Sequence, residues 1–307
     1  MDIFHIGLPR TFLGVKNSDR NFSEVEPRGS TKMPNDEKSA RYVVLSSPYE
    51  GTVSYGTGTK KGPAAIIEAS RQIETYDIEL ARDFAECGIY TADELEVSHS
   101  SPEKNCGYVQ EAVSAVLAEG KVPVLLGGEH SVSVGAFNAI AARKGAENVS
   151  VLHLDAHADM RQEYEGTACN HACAMRRCRE KLHAVSVGVR SYSAEEAEEI
   201  KKKKCDIFGV EFDEAAVVKK LRKDVYITID LDAFDPSECP GVGTPEPGGM
   251  RWKQALSLLK KVCETRRVVG FDVVELAPVP GQIVSDFLAA RLVYKLICYI
   301  EASRKGQ

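Results

Sequence analysis

Short β-branched runs alternate along this chain with longer stretches whose apolar residues recur at helical spacing. The runs fall at residues 42–46, 122–126, 149–154, 184–187, 225–229 and 268–274. Helical patterns fall at 102–118, 132–143, 194–204, 213–222, 252–264 and 285–303. Strands alternating with helices in this way predict a parallel sheet flanked by helices. Ser193 and Glu196 have the spacing of a capping box and mark one helix start. The lysine run 201–204 reads as the solvated end of that helix, where cations suit the helix dipole. Residues 16–41 break the pattern: they are polar, rich in turn formers and almost empty of aliphatic side chains. A polar arm or covering loop is therefore expected over residues 1–41.

Composition narrows the class. With 307 residues, 43% of them hydrophobic, the chain can bury a substantial core in one large α/β domain or two ordinary ones. A formal charge of −6 argues against a broad phosphate-binding surface, so nucleic acid is not an expected partner. No stretch approaches the ~18 apolar residues of a membrane span. The oily segment 287–300 is interrupted by Arg291 and Lys295 and reads as an amphipathic helix. The start lacks a basic leader and the apolar run of about 7 to 15 residues of a secretory signal, so a soluble, cytoplasmic protein is expected. Nine cysteines, an odd number scattered through the chain, read as reduced thiols. The cluster Cys169, Cys173 and Cys178 lacks the Cys-x-x-Cys pairing usual in zinc sites.

Three motifs follow directly on predicted strands: Gly127-Gly128-Glu129-His130-Ser131, Asp155-Ala156-His157-Ala158-Asp159, and Asp230-Leu231-Asp232-Ala233-Phe234-Asp235-Pro236. In an open α/β sheet ligands bind beyond the carboxyl ends of the strands, so three separate segments can converge on one crevice. Side chains two apart in an extended segment share a face, which suits Asp155 with His157 and Asp230 with Asp232 for reaching neighbouring metals. Asp159 needs a curled backbone to join them. With His130 this makes four carboxylates and two imidazoles, a concentration of negative charge that calls for cations. Oxygen ligands mixed with imidazole, and no thiolate, favour Mn²⁺ over structural zinc. Taken singly, an Asp-x-Asp after a strand is usually a turn or a helix cap. Their joint occurrence at strand ends is what points to metal.

These motifs resemble the ureohydrolase family of arginases and agmatinases, whose pattern includes Gly-Gly-(Glu/Asp)-His, Asp-Ala-His-x-Asp and Asp-x-Asp-x-x-Asp-Pro. Further similarity lies in Ser54-Tyr55-Gly56-x-Gly58, Gly62-Pro63, Gly188-Val189-Arg190-Ser191 and Gly243-Thr244-Pro245-Glu246. The resemblance covers residues 42–300. It implies one catalytic domain over 42–307, a three-layer α/β/α sandwich with a parallel sheet of about eight strands. It also implies two Mn²⁺ per subunit and a homo-oligomer, trimer or hexamer. Asp155 and Asp230 would bridge the metals, with His130 and Asp159 completing one site and His157 and Asp232 the other. Asp235, before Pro236, is expected to stabilise a turn, and His153 to be structural.

Guanidinium is a poor electrophile, so the reaction needs a strong nucleophile, which two metals about 3.5 to 4 Å apart can supply from water near neutral pH. As a metal ligand beside that water, Asp159 is expected to relay a proton to the leaving amine, and by the resemblance His171 acts as an acid or shuttle at the cleft mouth. Glu275, after the strand 268–274, would orient the guanidinium through parallel hydrogen bonds. The segment after Asp159 lacks the Asn- and hydroxyl-rich loop of arginases, and Pro245-Glu246 is closer to agmatinases. Cleavage of agmatine to putrescine and urea, a polyamine-forming reaction, is therefore the leading expectation. Aminopropylagmatine, guanidinobutyrate, arginine and formiminoglutamate are the alternatives, and Glu163, Glu165 and Glu246 are expected to attract a substrate amine. A deacetylase on a related fold would use one zinc without His130. A catalytically silent polyamine-binding protein would have lost metal ligands or Glu275.

Overall fold

The computed structural model describes residues 11–14 and 37–304. Its strands are β1 (Tyr42–Ser47), β2 (Tyr76–Asp77), β3 (Arg82–Asp83), β4 (Ile89–Thr91), β5 (Val122–Gly127), β6 (Val149–Leu154), β7 (His183–Val187), β8 (Asp206–Phe208), β9 (Asp224–Asp230) and β10 (Arg267–Val274). The helices are α1 (Gly62–Ser70), α2 (Pro102–Ala118), α3 (Ser133–Lys144), α4 (Ala174–Arg179), α5 (Ala194–Lys203), α6 (Glu214–Lys220), α7 (Trp252–Thr265) and α8 (Val284–Arg304). β2 and β3 form a small antiparallel pair. The other eight strands make one sheet in the order β4-β1-β5-β10-β9-β6-β7-β8. Every neighbouring pair in it is parallel.

Successive side chains on a strand point to opposite faces, and here both faces are covered. Along β1, Tyr42 and Val44 enter one core while Val43 and Leu45 enter the other. The first core is closed by Ile66 of α1, Val217 of α6, Leu258 of α7 and Leu292 of α8. The second is closed by Val113 of α2, Phe137 of α3 and Met175 of α4. The result is the expected three-layer α/β/α sandwich. In α7 the buried Ala255, Leu258, Leu259 and Val262 recur at i, i+3, i+4 and i+7 along one face. Burying one leucine contributes about 1.5–3 kcal/mol, against a few tenths for helix propensity, so packing holds this helix in place.

The hydrophobic pattern showed six strands, and the structure adds β4 and β8. Both are three residues long and lie at the two edges of the sheet, too short to display a period. The helix expected from residue 132 is preceded by a 3-10 turn, His130–Val132, and becomes α-helical at Ser133. The Ser193–Glu196 capping box is present, and α5 stops at Lys204, whose φ is 51°. Residues 15–36 lie outside the described residues, and with them most of the expected arm. Of residues 11–14, Phe12 is fully buried and its N–H donates to Thr91 Oγ1 at 3.0 Å. No helix among the described residues is long and apolar enough to cross a membrane. All nine cysteines are free thiols.

The four central strands, β5, β10, β9 and β6, stand side by side. The sequence motifs lie just beyond their carboxyl ends, so the sheet itself brings them together.

Candidate metal centre

Each residue of the centre is placed by a backbone feature at a strand end. After β5 the chain passes close to Tyr49: a Cβ on Gly128 would lie 2.0 Å from the Tyr49 carbonyl oxygen, so this position requires glycine. Glu129 N then donates to Tyr49 O at 3.0 Å, and the 3-10 turn carries His130 inward. After β6, Asp155 is fully buried, and the curl needed to return Asp159 to the same site is a left-handed turn at φ 51°. Met160 N, next to it, donates to Glu196 Oε1 at 2.9 Å, so the capping-box glutamate also holds the Asp159 loop. At the end of β9, Asp230 Oδ1 accepts from Asp232 N at 2.9 Å and folds the chain so that both carboxylates face inward. After β10, Glu275 takes φ 66°, and its Oε1 accepts from His130 N at 2.6 Å. Two non-glycine residues held at positive φ in one site mark stored backbone strain.

All six candidate ligands converge. His130 Nδ1 lies 3.0 Å from Asp159, 3.2 Å from Asp155 and 3.6 Å from Asp230 carboxylate oxygens. His157 Nδ1 lies 2.9 Å from Asp232 Oδ2 and 3.5 Å from Asp155 Oδ1. The atoms fall into two groups that share Asp155, one containing His130 and Asp159 and the other His157 and Asp232. His153 sits in the first group, but its Nε2 is 2.7 Å from Asp155 Oδ2, where the carboxylate accepts and the ring donates. Arg179 donates to Ser186 Oγ at 2.9 Å, and Ser186 lies 3.0 Å from His153 Nδ1. This chain orients Asp155 and occupies both ring nitrogens of His153, which fits a supporting role.

The protonation of His130 follows from its neighbours. Thr228 Oγ1 donates to Asp272 Oδ1 at 2.5 Å, so it is free to accept from His130 Nε2 at 2.9 Å. Tyr226 OH donates to the other Asp272 oxygen at 2.8 Å. A neutral His130 therefore carries its proton on Nε2 and turns the Nδ1 lone pair toward the carboxylates. Nδ1 is buried and has no well-aligned hydrogen-bond partner despite three nearby oxygens. A buried imidazole nitrogen left unbonded among several carboxylate oxygens is what a cation site offers.

The electrostatics agree. Burial, reinforced by the charges of Asp232, Asp155 and Glu275, pushes Asp230 well above the carboxylate range. Burial and the Asp155 charge raise Asp232. Burial and the Glu129 charge raise Glu275 well above its usual value. Burial opposes the cationic form of His157, yet the adjacent Asp155 and Asp232 push it up to about 12. Without metal, His157 is held as a cation among these carboxylates, and metal binding would release its proton. The donor set fits divalent ions that accept carboxylate oxygen and imidazole nitrogen. Among the described residues, the metal-ligand groups contain no cysteine.

The cluster floors a cleft of about 350 Å³ whose walls include Tyr55, Arg161, Tyr164, Tyr192 and Thr244, with Glu275 also lining it. His171 stands at its side, with Nδ1 3.4 Å from Thr52 Oγ1 and Nε2 3.3 Å from Ser54 Oγ. Glu129, which sequence reasoning left without a role, fastens that wall: Gly51 N and Thr52 N donate to it at 2.8 and 2.7 Å. Arg190 is a second omission. Its Nη2 donates to Asp232 O at 2.8 Å and Glu246 O at 2.7 Å, tying two site loops together. Asp235 stays out of the cluster and accepts from Ser237, Gly248 and Gly249 N–H groups. Glu163 and Glu165 are exposed and absent from the cleft wall, whereas Arg161 and Tyr164 of the same segment line it. This segment is an irregular loop, and the sequence did not show which of its side chains face inward. Glu246 lies 3.9 Å from His157 Nε2.

An all-parallel α/β sandwich with a carboxylate and imidazole cluster beyond its central strands fits a class of hydrolase whose cluster could bind metal. Residues 40–298 match the model of the arginase family, and the chain belongs to that family. It is a ureohydrolase, a hydrolase of guanidino C–N bonds. It is 38% identical over 279 residues to the N(1)-aminopropylagmatine ureohydrolase of Synechocystis sp., covering 87% of this chain and 91% of the relative. It is 35% identical over 253 residues to the agmatinase of Bacillus anthracis, covering 80% and 86%. The crystal structure of the agmatine ureohydrolase of Thermoplasma volcanium superimposes with a TM-score of 0.82 at 32% identity, covering 91% of this chain and 97% of that one.

Proposed function

We propose that the chain is a binuclear manganese hydrolase that removes urea from a decarboxylated guanidino amine, with agmatine to putrescine as the first reading. The observation that carries it is the sharing of Asp155 between two ligand groups. His130, Asp155, Asp159 and Asp230 would hold one ion, and Asp155, Asp230, His157 and Asp232 the other. When bound, the ions supply a water activated for attack and neutralise the developing negative charge.

The chain's own residues do the rest. Glu275 keeps one oxygen on His130 N and has the other to accept from the guanidinium, which fixes the carbon over the metal centre. Asp159 lies at the centre with an oxygen in reach of a proton passing to the departing nitrogen. His171, between Thr52 and Ser54 on the cleft wall, can exchange that proton with solvent. The relatives named for agmatine and aminopropylagmatine support a substrate without an α-carboxylate. Of the three acids expected to meet a substrate amine, Glu246 approaches a ligand candidate, 3.9 Å from His157 Nε2.

Arg161 favours a second reading. It is a cation in the cleft wall, held 4.7 Å over the Tyr164 ring, and would suit a carboxylated substrate such as guanidinobutyrate. Urea release from agmatine, aminopropylagmatine, guanidinobutyrate and arginine at equal Mn²⁺ loading separates the readings. Agmatine or its aminopropyl derivative is expected to exceed arginine in kcat/KM by at least about tenfold, ~1.4 kcal/mol, because an unpaired buried carboxylate is costly. If arginine gives the highest value, the agmatinase reading fails while the ureohydrolase assignment stands.

A further inference from the structure

The segment that carries His171 is fastened to α2 by two side-chain contacts one helical turn apart. Thr167 Oγ1 donates to Glu103 Oε1 at 2.9 Å, and Cys169 N donates back to Thr167 Oγ1 at 3.1 Å. Three residues along α2 from Glu103, on the same face, Cys106 is buried with its sulfur 3.4 Å from Ser131 O. Cys169, half-buried, packs against the small cluster formed by Cys106, Val134 and Ala174. Across this contact the two thiols act on one another's ionisation. The segment is compact, since Tyr164 and Thr167 exchange backbone hydrogen bonds of 3.1 and 3.2 Å. His171 follows Cys169 by two residues and meets the Tyr164 ring edge-on, with centroids 6.1 Å apart.

We propose that Cys169 and Cys106 are a dithiol that a hydroperoxide oxidises to an intrachain disulfide, locking the His171 segment to α2. The two thiols are unequal in a way that suits the order of events. The neighbouring Cys106 thiol draws Cys169 below the ordinary thiol range, while the same contact and burial hold Cys106 well above it. By contrast, burial pushes Cys87, Cys173, Cys178 and Cys239 up to about 12. Cys169 thiolate attacks one peroxide oxygen, the O–O bond breaks, and the departing oxygen leaves as water or alcohol after taking a proton. Cys169 is then a sulfenic acid. Cys106 sulfur displaces its hydroxyl, which leaves as water with the Cys106 proton, and the S–S bond forms. Two thiols are oxidised and one peroxide is reduced. A covalent S–S bond is shorter than the contact it replaces, so the Cys169 backbone and His171 must shift toward α2.

The test treats Mn²⁺-loaded protein with hydrogen peroxide and follows free-thiol count, peptide mapping and urea release. The expected result is loss of two thiols, a Cys106–Cys169 linked peptide, and urea release reduced about fivefold or more by misplacement of His171, all reversed by dithiothreitol. Cys169→Ser should keep its rate under peroxide and give no linked peptide. Cys106→Ala should stop at a Cys169 sulfenic acid that dimedone traps. A different cysteine pair, or Cys169 overoxidised while Cys106 stays reduced in wild type, overturns the proposal. The rate effect rests on the role proposed for His171 and the pairing does not, so a linked pair with unchanged turnover overturns the coupling alone.

Discussion

Two clusters of charge in this molecule are built on opposite terms. Beneath α8, Lys295, 7% exposed, donates to Asp77 at 2.8 Å and to Glu79 at 2.7 Å, while Lys260 and Tyr299 donate to Glu79 at 2.8 and 2.7 Å. Two carboxylates there meet two ammonium groups, and every charge has a partner. Beyond the central strands, Asp155, Asp159, Asp230, Asp232 and Glu275 are served by imidazoles, those of His130, His153 and His157. The first arrangement costs desolvation and returns it within the chain. The second leaves negative charge uncompensated at folding, and Asp230, Asp232 and Glu275 shift upward in consequence. Such an excess suits a cluster that could bind metal ions.

The largest effect should come from removing a bridging candidate. Asp230→Ala is expected to lower urea release by about 10³-fold or more, because the stabilisation at stake is several kcal/mol. It should also reduce bound Mn²⁺ below the about two equivalents that the two-metal mechanism requires. Asp235→Ala, which removes only turn hydrogen bonds, should retain metal and most of the activity. Equal losses in the two variants would erase the distinction between the cluster and its surroundings. Full wild-type activity with one equivalent would refute the two-metal reading.

A smaller loss is expected at the cleft wall. His171→Ala should reduce turnover by about 10²-fold, the scale of lost acid-base assistance, with metal content unchanged. Loss of metal would instead make His171 part of the cluster, and a wild-type rate would remove it from the mechanism.

The contrast also bears on what the sequence disclosed. The six ligand candidates were legible because each follows an apolar run, and a parallel sheet gathers all such ends on one edge. Their supports were not. Asp272 is an isolated charge inside the apolar run of β10, a visible anomaly, but its role depends on facing Thr228 across the β9–β10 register. Arg190 works through backbone carbonyls of residues 232 and 246, more than forty positions away. Glu163 and Glu165 were misplaced for the same reason: no periodicity in a loop says which side faces a cleft. The edge strands β4 and β8 are too short to carry a pattern, whereas the capping box at Ser193 was legible because it is local.

If the excess charge is a cost borne for metal, neutralising it should stabilise the metal-free protein. The folded-state pKa of Asp230 is raised, so its ionised form disfavours folding at every pH above the unfolded value. Asp230→Asn keeps an oxygen to accept from Asp232 N and removes the charge. After chelation, thermal melting at neutral pH should show the variant more stable by about 1 kcal/mol, the usual size of such functional trade-offs. A variant less stable than wild type would mean that the cluster is held together by Asp230, as the paired network is by Lys295.

The paired network should reveal itself at low pH, by the smallest of these effects. Burial acts to raise the pKa of Glu79, but hydrogen bonds from Lys260, Lys295 and Tyr299 prevail and lower it from 4.5 to about 2. A depressed folded-state pKa contributes stability that is fully present above the unfolded value and is lost as pH falls through the folded one. The window is therefore pH 4.5 down to about 2. Because the Glu79 side chain is 40% exposed, solvent screening keeps its contribution under about 1 kcal/mol. Glu79→Gln removes the charge while keeping the shape. Urea denaturation of both proteins should give a constant stability gap above pH 4.5 that closes as the pH approaches 2. A gap that persists undiminished at the acid end would show that Glu79 acts through packing and neutral hydrogen bonds. In that case the balance of charge beneath α8 would not be what distinguishes it from the metal centre.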